Sequence, residues 1–206
     1  LGIFLYTSEI AAINQYWFDL DGQVLAPEYG EQASMVFGGK YGWNTWWTQE
    51  PRQIFGINLL PITSASTYLG TSPGYVQGRI DALPGEVRAY KARGMSDGTP
   101  ADVWQDVIAA YAALGDPDAG LALWNPWGSV EAGETRSHTL YWLSILKEYG
   151  TPDFSVTADT PLYAVFRDRS GTRTYLAYNA GSKGIRVTFS TGRSVDVPAR
   201  SLVRIR

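Results

Sequence analysis

Apolar residues recur at helical spacing through most of the first three quarters of the chain. Between Ala101 and Leu114, Val103, Trp104, Val107, Ile108 and Tyr111 fall on one stripe, which predicts a helix with one buried face. Further helices are expected from Pro51 to Leu60 and from Pro73 to Arg93, each opened by a proline at a first-turn position. Asp116 is placed to cap another ahead of Pro117, and Ser137 to Tyr149 reads as an amphipathic helix closed by Gly150 and Pro152. At the start, Ile10, Ile13 and Trp17 give a helix ending near Phe18, with Asp19-Leu20-Asp21-Gly22 as the turn after it. The opening Leu1-Gly2-Ile3 has neither an initiator Met nor a cap, so the chain is expected to begin inside a helix, as a fragment would.

After Pro161 the period shortens to two. Leu162–Phe166, Thr174–Tyr178, Ile185–Phe189 and Ser201–Ile205 are short β-rich runs separated by Ser170-Gly171, Gly181-Ser182 and Thr191-Gly192. The expected organisation is therefore helical over residues 1–155 and a β-strand appendage over 156–206, packed on the helices or on upstream sequence. So small an appendage makes a poor domain by itself.

Composition narrows what such a chain does. The net charge of −3 carries no basic run suited to a phosphate backbone, and no apolar stretch reaches the roughly 20 residues of a membrane span. Nucleic acid and membrane are thus not expected partners. Without cysteine and with a single histidine, a zinc site or a thiol nucleophile is not expected either. Eight Trp and thirteen Tyr are many for a core of this size, and they offer the flat apolar faces and polar edges that suit sugars. Tyr41, Trp43, Trp46 and Trp47 follow a long loop, Ala26 to Gly39, of the length that functional loops have. Adjacent Trp46 and Trp47 are not expected to face the same way, so at least one of them is expected in the core.

Ordered strings along the chain carry a resemblance. These are Leu5-Tyr6-Thr7-Ser8-Glu9-Ile10, Ala12-Ile13-Asn14-Gln15-Tyr16-Trp17-Phe18, Pro27-Glu28-Tyr29-Gly30, Gly38-Gly39-Lys40 and Thr45-Trp46-Trp47. Gly56–Thr63, Tyr68-Leu69-Gly70, Gly133-Glu134-Thr135-Arg136-Ser137-His138-Thr139-Leu140-Tyr141-Trp142 and Ala158–Phe166 follow in order. Together they resemble the last third of glycoside hydrolase family 81, the endo-β-1,3-glucanases, in the bacterial form. The resemblance implies a mainly α fold, the second half of an (α/α)-type helical toroid carrying a small C-terminal antiparallel β appendage. It also implies inverting hydrolysis of internal β-1,3-glucosidic bonds in laminarin- or curdlan-like glucans, no cofactor or metal, and a secreted, extracellular protein.

Inversion requires two carboxyl groups about 6.5–9.5 Å apart. In the family the acid is an Asp in an Asp-His-His-Phe-His-Tyr-Gly-Tyr-like string and the base comes from a Glu-x-x-x-Glu pair. Neither motif occurs here; the nearest pairs, Glu28/Glu31 and Glu131/Glu134, are spaced by three. Both are expected upstream of Leu1, in a segment of the same polypeptide, so no catalytic residue is assigned to this chain. As glycan-binding candidates the resemblance and the aromatic cluster give Glu28, Tyr29, Lys40, Tyr41, Trp43, Trp46, Glu134 and His138. For Glu134 and His138 the alternative is a helix cap and a hydrogen-bonded histidine. A non-catalytic β-glucan-binding module is the competing function, and another glycan-active toroid, a lyase or phosphorylase, the weaker third.

Overall fold

The computed structural model describes residues 33–34, 48–60, 62–96, 98–128 and 130–206. The helix expected up to Phe18 and the aromatic cluster from Tyr41 to Trp47 lie outside the described residues. The chain divides into two compact units, Leu1–Ser144 and Ile145–Arg206. Among the described residues no helix is long and apolar enough to cross a membrane.

In the first unit, helix α1 runs from Pro51 to Leu59, with Pro51 in its first turn and the Glu50 carboxylate accepting from the Gln53 amide at 2.8 Å. A 3-10 turn spans Ser64–Gly70, followed by α2, Pro73–Ala92. Pro84 sits inside α2, where it cannot donate to the Ile80 carbonyl, and the helix continues past it. Helix α3 covers Gln105–Gly115, and every residue from Gln105 to Leu114 is buried. Helix α4, Pro117–Trp124, follows at once, because Asp116 both ends α3 and caps α4 through its bond from the Asp118 amide. Gly120 of α4 lets that helix approach closely: a Cβ there would stand 2.7 Å from Ala113 Cβ and 2.8 Å from the Ala109 carbonyl.

The stripe expected from Ala101 onward does not form one helix. Trp104 has φ 58°, so Ala101–Trp104 is a turn and α3 starts after it. This left-handed conformation costs a non-glycine residue about 1–2 kcal/mol. The Trp104 side chain offsets it by lying directly on α1, where Gly56 leaves the space: a Cβ at Gly56 would be 2.1 Å from Trp104 Cγ.

Helix α5, Arg136–Tyr149, passes from the first unit into the second. In the second unit β1 (Thr151–Pro152), β2 (Tyr163–Arg167), β3 (Arg173–Asn179) and β6 (Ser201–Ile205) form an antiparallel sheet in the order β1-β2-β3-β6. Strands β4 (Ile185–Thr188) and β5 (Ser194–Val197) form a hairpin of their own. Strands β1 and β5 were not expected from the sequence. Alternation sends Val165, Tyr175 and Ala177 to an inner face, where they pack with Val156, Val187, Phe189 and Val197. Asn179 ties the two sheets, its Nδ2 donating to the carbonyls of Lys183 (2.7 Å), Val197 (3.1 Å) and Pro198 (3.1 Å).

Asp153 gathers the edge of the larger sheet. Its carboxylate, 5% exposed, accepts from Arg167 at 2.5 Å and Arg173 at 2.8 Å. Burial alone would raise its pKa, but hydrogen bonds from Ser155, Arg173 and Arg167 outweigh that and hold it well below the usual carboxylate range.

Replacing Gly56 with alanine is expected to destabilise the first unit by about 1–3 kcal/mol, since Trp104 has to leave its seat on α1; a shift of the denaturation midpoint measures it, and an unchanged midpoint would refute the packing. Because Asp153 is depressed in the folded state, its contribution is complete above the unfolded pKa of about 3.9 and is lost as pH falls through the folded value. Asp153→Asn should therefore flatten the loss of stability of the second unit below pH ~4, read from melts at stepped pH.

Candidate functional site

The buried helix α3 presents its amino end to a set of charged side chains. Arg52, in the first turn of α1, donates from Nε (3.1 Å) and Nη2 (2.8 Å) to the Val103 carbonyl and from Nη2 to Gln105 Oε1 at 2.7 Å. Gln105 in turn donates to the Leu123 carbonyl at 2.5 Å, so α1, α3 and α4 meet at one side chain. Glu134, from the loop before α5, accepts the Gln105 amide on Oε1 at 3.0 Å and the Glu131 amide on Oε2 at 2.9 Å. Asp106 returns the gesture: Oδ1 takes the Val107 amide at 2.7 Å and Oδ2 the Thr135 amide at 3.3 Å. Each segment thus lends a carboxylate to the other's backbone, and a free helix N-terminus with buried surroundings receives the negative charge it favours.

These acids do not titrate as isolated ones. Burial raises Asp106 above the ordinary carboxylate value, against its amide hydrogen bonds and the nearby charge of His138. Burial likewise raises Glu134, with Asp106 and Glu131 adding to the effect. Glu131 is raised by burial and by Asp102, while Arg52 pulls it down, and its Oε1 is buried without a hydrogen-bond partner. Several acids crowd one helix end, and each is harder to ionise there than in water.

Beside them opens a cavity of about 140 Å3 lined by Leu60, Ile62, Val107, Ala110 and Trp142 and by the polar Asp106, Thr135, His138 and Thr139. That is the volume of roughly five waters at ~30 Å3 each. An apolar lining with a few convergent polar groups suits a ring that is apolar on its faces and hydroxylated at its edge. His138 is exposed on α5, whereas Trp142 is buried and its indole donates to the Ala110 carbonyl at 3.0 Å.

A second arrangement holds the backbone at Ala33–Ser34. Arg79, fully buried on α2, lies over the rings of Phe55 (5.6 Å) and Tyr75 (5.7 Å) and donates to the Ala33 carbonyl at 2.9 Å. Two turns on, Glu86 accepts the amides of Ala33 at 2.5 Å and Ser34 at 3.1 Å, together with the Ser34 hydroxyl. Positions seven apart share a helix face, so α2 grips the backbone of Ala33–Ser34 with one cation and one anion.

Of the residues expected to bind glycan, Glu28, Tyr29, Lys40, Tyr41, Trp43 and Trp46 lie outside the described residues. Glu134 and His138 are brought to the same helix end, but α5 starts at Arg136, so they are not a pair on one helix. His138 faces the cavity, while both oxygens of Glu134 are committed to backbone amides. Asp106, Arg52, Arg79 and Glu86 were not singled out from the sequence. Their partners stand 29 to 53 residues away, and no local pattern reports them.

No protein-family model matches the chain. A glucan endo-1,3-beta-D-glucosidase of Acetivibrio thermocellus is 43% identical over 203 residues, which are 98% of this chain and 25% of that protein. Another of that name, from Thermobifida fusca, is 39% identical over 206 residues, with 98% of this chain and 26% of that protein covered. A solved structure of a glycoside hydrolase family 81 mutant from Clostridium thermocellum superposes with a TM-score of 0.72 at 41% identity, covering 99% of this chain and 27% of that one. The chain spans about a quarter of the length of the relatives it matches.

Glu134→Gln keeps the shape but gives one amide an NH2 group in place of an acceptor; a loss of about 1–3 kcal/mol is expected, measured by denaturant titration. The folded pKa of Asp106 lies above its unfolded value, so the native state holds that proton more tightly. The resulting stability is complete below the unfolded pKa of about 3.9 and is lost as pH rises through the folded one. Asp106→Asn should therefore make stability less dependent on pH from about 4 upward, and an unchanged slope would refute the assignment. About two fifths of the residues agree with each relative in turn, and by that measure the chain is a homologue, along nearly its whole length, of a portion of two glucan endo-1,3-beta-D-glucosidases and of a solved glycoside hydrolase of family 81.

Proposed function

We propose that this chain is part of a secreted endo-β-1,3-glucanase and supplies one wall of its glucan cleft. What supports this is the 39–43% identity, over almost the entire chain, to proteins named for that activity. The chemistry of the cavity at the amino end of α3 agrees with it. Asp106 and His138 offer hydrogen bonds beside Leu60, Ile62 and Val107, which is the pairing a glucosyl residue calls for.

In this reading residues 1–155 are the second half of an (α/α) toroid and residues 156–206 its appendage. The parent inverts the anomeric centre with two carboxyl groups supplied upstream of Leu1, without metal or organic cofactor, and this chain holds the sugar rather than cleaving it. Glu134 serves the backbone at Gln105 and Glu131, and Asp106 both holds the Thr135 amide and lines the cavity. Glu28, Tyr29, Lys40, Tyr41, Trp43 and Trp46 add further glucan contacts.

The parent protein given laminarin should release short oligosaccharides whose first-formed anomer is α by NMR; a first-formed β anomer would overturn inversion, and no release would overturn the glucanase. In the same protein His138→Ala should raise KM about tenfold, the equivalent of one lost hydrogen bond, and leave kcat within a few-fold. An unaltered KM would remove His138 from the cleft.

A further inference from the structure

The second unit differs in charge from the rest of the chain. Residues 145–206 carry ten Lys and Arg against five Asp and Glu, a net of +5, whereas residues 1–144 carry seven against fifteen. No basic run shows this in the sequence, because the arginines are spaced along several strands. Folding brings four of them to one end of the larger sheet. Arg167 ends β2 and Arg173 begins β3, directly opposite each other in the register. Arg206 follows β6 and donates to Thr174 Oγ1 at 3.3 Å. Arg193, from the β4–β5 turn, lies over the Tyr175 ring at 5.6 Å and donates to the Arg206 main-chain oxygen at 2.5 Å.

Two carboxylates stand among these four guanidiniums. Asp153 is shared by Arg167 and Arg173. Asp168, in the β2–β3 turn, is held below the ordinary carboxylate value by the Ser170 hydroxyl first and also by the charge of Arg206, which sets Arg206 beside that turn. Arg204, on the same sheet, is matched by Glu148 at 2.7 Å and adds nothing to the excess. Arg167, Arg193 and Arg206 are exposed, so a surplus of positive charge faces water at this end. Like charges gathered without matching acids repel one another and disfavour the compact state, and a bound anion relieves them.

We infer that this end of the sheet binds an acidic polysaccharide, a polymer with one carboxylate on each sugar. The guanidinium fork suits a carboxylate, and Arg167 already holds one: its Nε (2.9 Å) and Nη2 (2.5 Å) both donate to Asp153 Oδ2. The turn between Arg167 and Arg173 exposes the hydroxyls of Ser170 and Thr172, 2.9 Å apart, which can exchange hydrogen bonds with sugar hydroxyls. A phosphate backbone fits less well. A nucleic acid duplex carries a negative charge about every 1.7 Å of its axis, and some of that charge would meet Asp168. A polymer with one carboxylate per ring can set its charges beside the arginines and a neutral ring edge beside the aspartate. The site shares no residue with the cavity beside α3 and does not rest on glucan hydrolysis, so a parent inactive on laminarin would leave it standing.

The test is titration calorimetry of the parent protein against polygalacturonate at stepped salt. Binding should weaken about tenfold or more between about 50 and 200 mM NaCl, as counterion release requires. The double variant Arg193→Gln, Arg206→Gln should bind about tenfold more weakly at the lower salt, with a salt slope smaller by about two and an unchanged melting temperature. Should the double variant melt early, Arg193→Gln and Arg206→Gln singly carry the test, each lowering the slope by about one. No binding of polygalacturonate by the parent overturns the proposal, and so does binding that these variants leave unaltered, which would lie elsewhere in the parent. Tighter binding of a DNA duplex or of phosphatidylglycerol vesicles, weakened by the same variants, would assign the arginines to phosphate and overturns it too.

Discussion

Helix α3 is buried from Gln105 to Leu114, and a helix without a wet side has nowhere to leave its terminal amides. The rest of the first unit answers that demand. Asp106 accepts the Thr135 amide and Glu134 the Gln105 amide, Arg52 and Gln105 take up the carbonyls of Val103 and Leu123, and Asp116 ends the helix while starting the next. Charge is gathered at one end of the helix because the core lies everywhere else. The cavity lined by Asp106 and His138 stands at that end.

The same demand accounts for the strain beside it. A turn at Ala101–Trp104 has to bring the chain onto the axis of α3 next to α1, and it does so with a tryptophan in a left-handed conformation. Gly56 removes the one atom that would forbid it, and Trp104 Nε1 lies 3.4 Å from Gln53 Oε1. Packing of a large ring overrides the local preference of the backbone. Similar reasoning applies to Arg79, where two aromatic rings and a carbonyl make a fully buried guanidinium tolerable.

Much of this was written in local pattern. Prolines at first-turn positions and the Asp116 cap marked α1, α2 and α4 to within a residue or two, and the change of period after Pro161 marked the strands. The start of α3 was misplaced because the apolar stripe runs through Trp104 unbroken, and periodicity does not register the sign of φ. Strand β5, Ser-Val-Asp-Val, escaped because its Asp196 is exposed and its partner Arg186 sits on a neighbouring strand. At the candidate site, Glu134 and His138 were visible through their string of neighbours. The grip of Arg79 and Glu86 on Ala33–Ser34 was not, because it joins positions about fifty residues apart.

Asn179 carries a consequence of a different kind. One amide nitrogen serves three carbonyl oxygens, and the side-chain oxygen of the same residue takes the Gly181 amide at 2.9 Å. The join between the two sheets therefore hangs on a chemical group that slowly hydrolyses in ageing proteins. Loss of that nitrogen would set a carboxylate against three acceptors in a buried place, turning attraction into repulsion without altering the side chain's size. The join between the two sheets thus depends on the identity of one amide, independently of how well the strands pair.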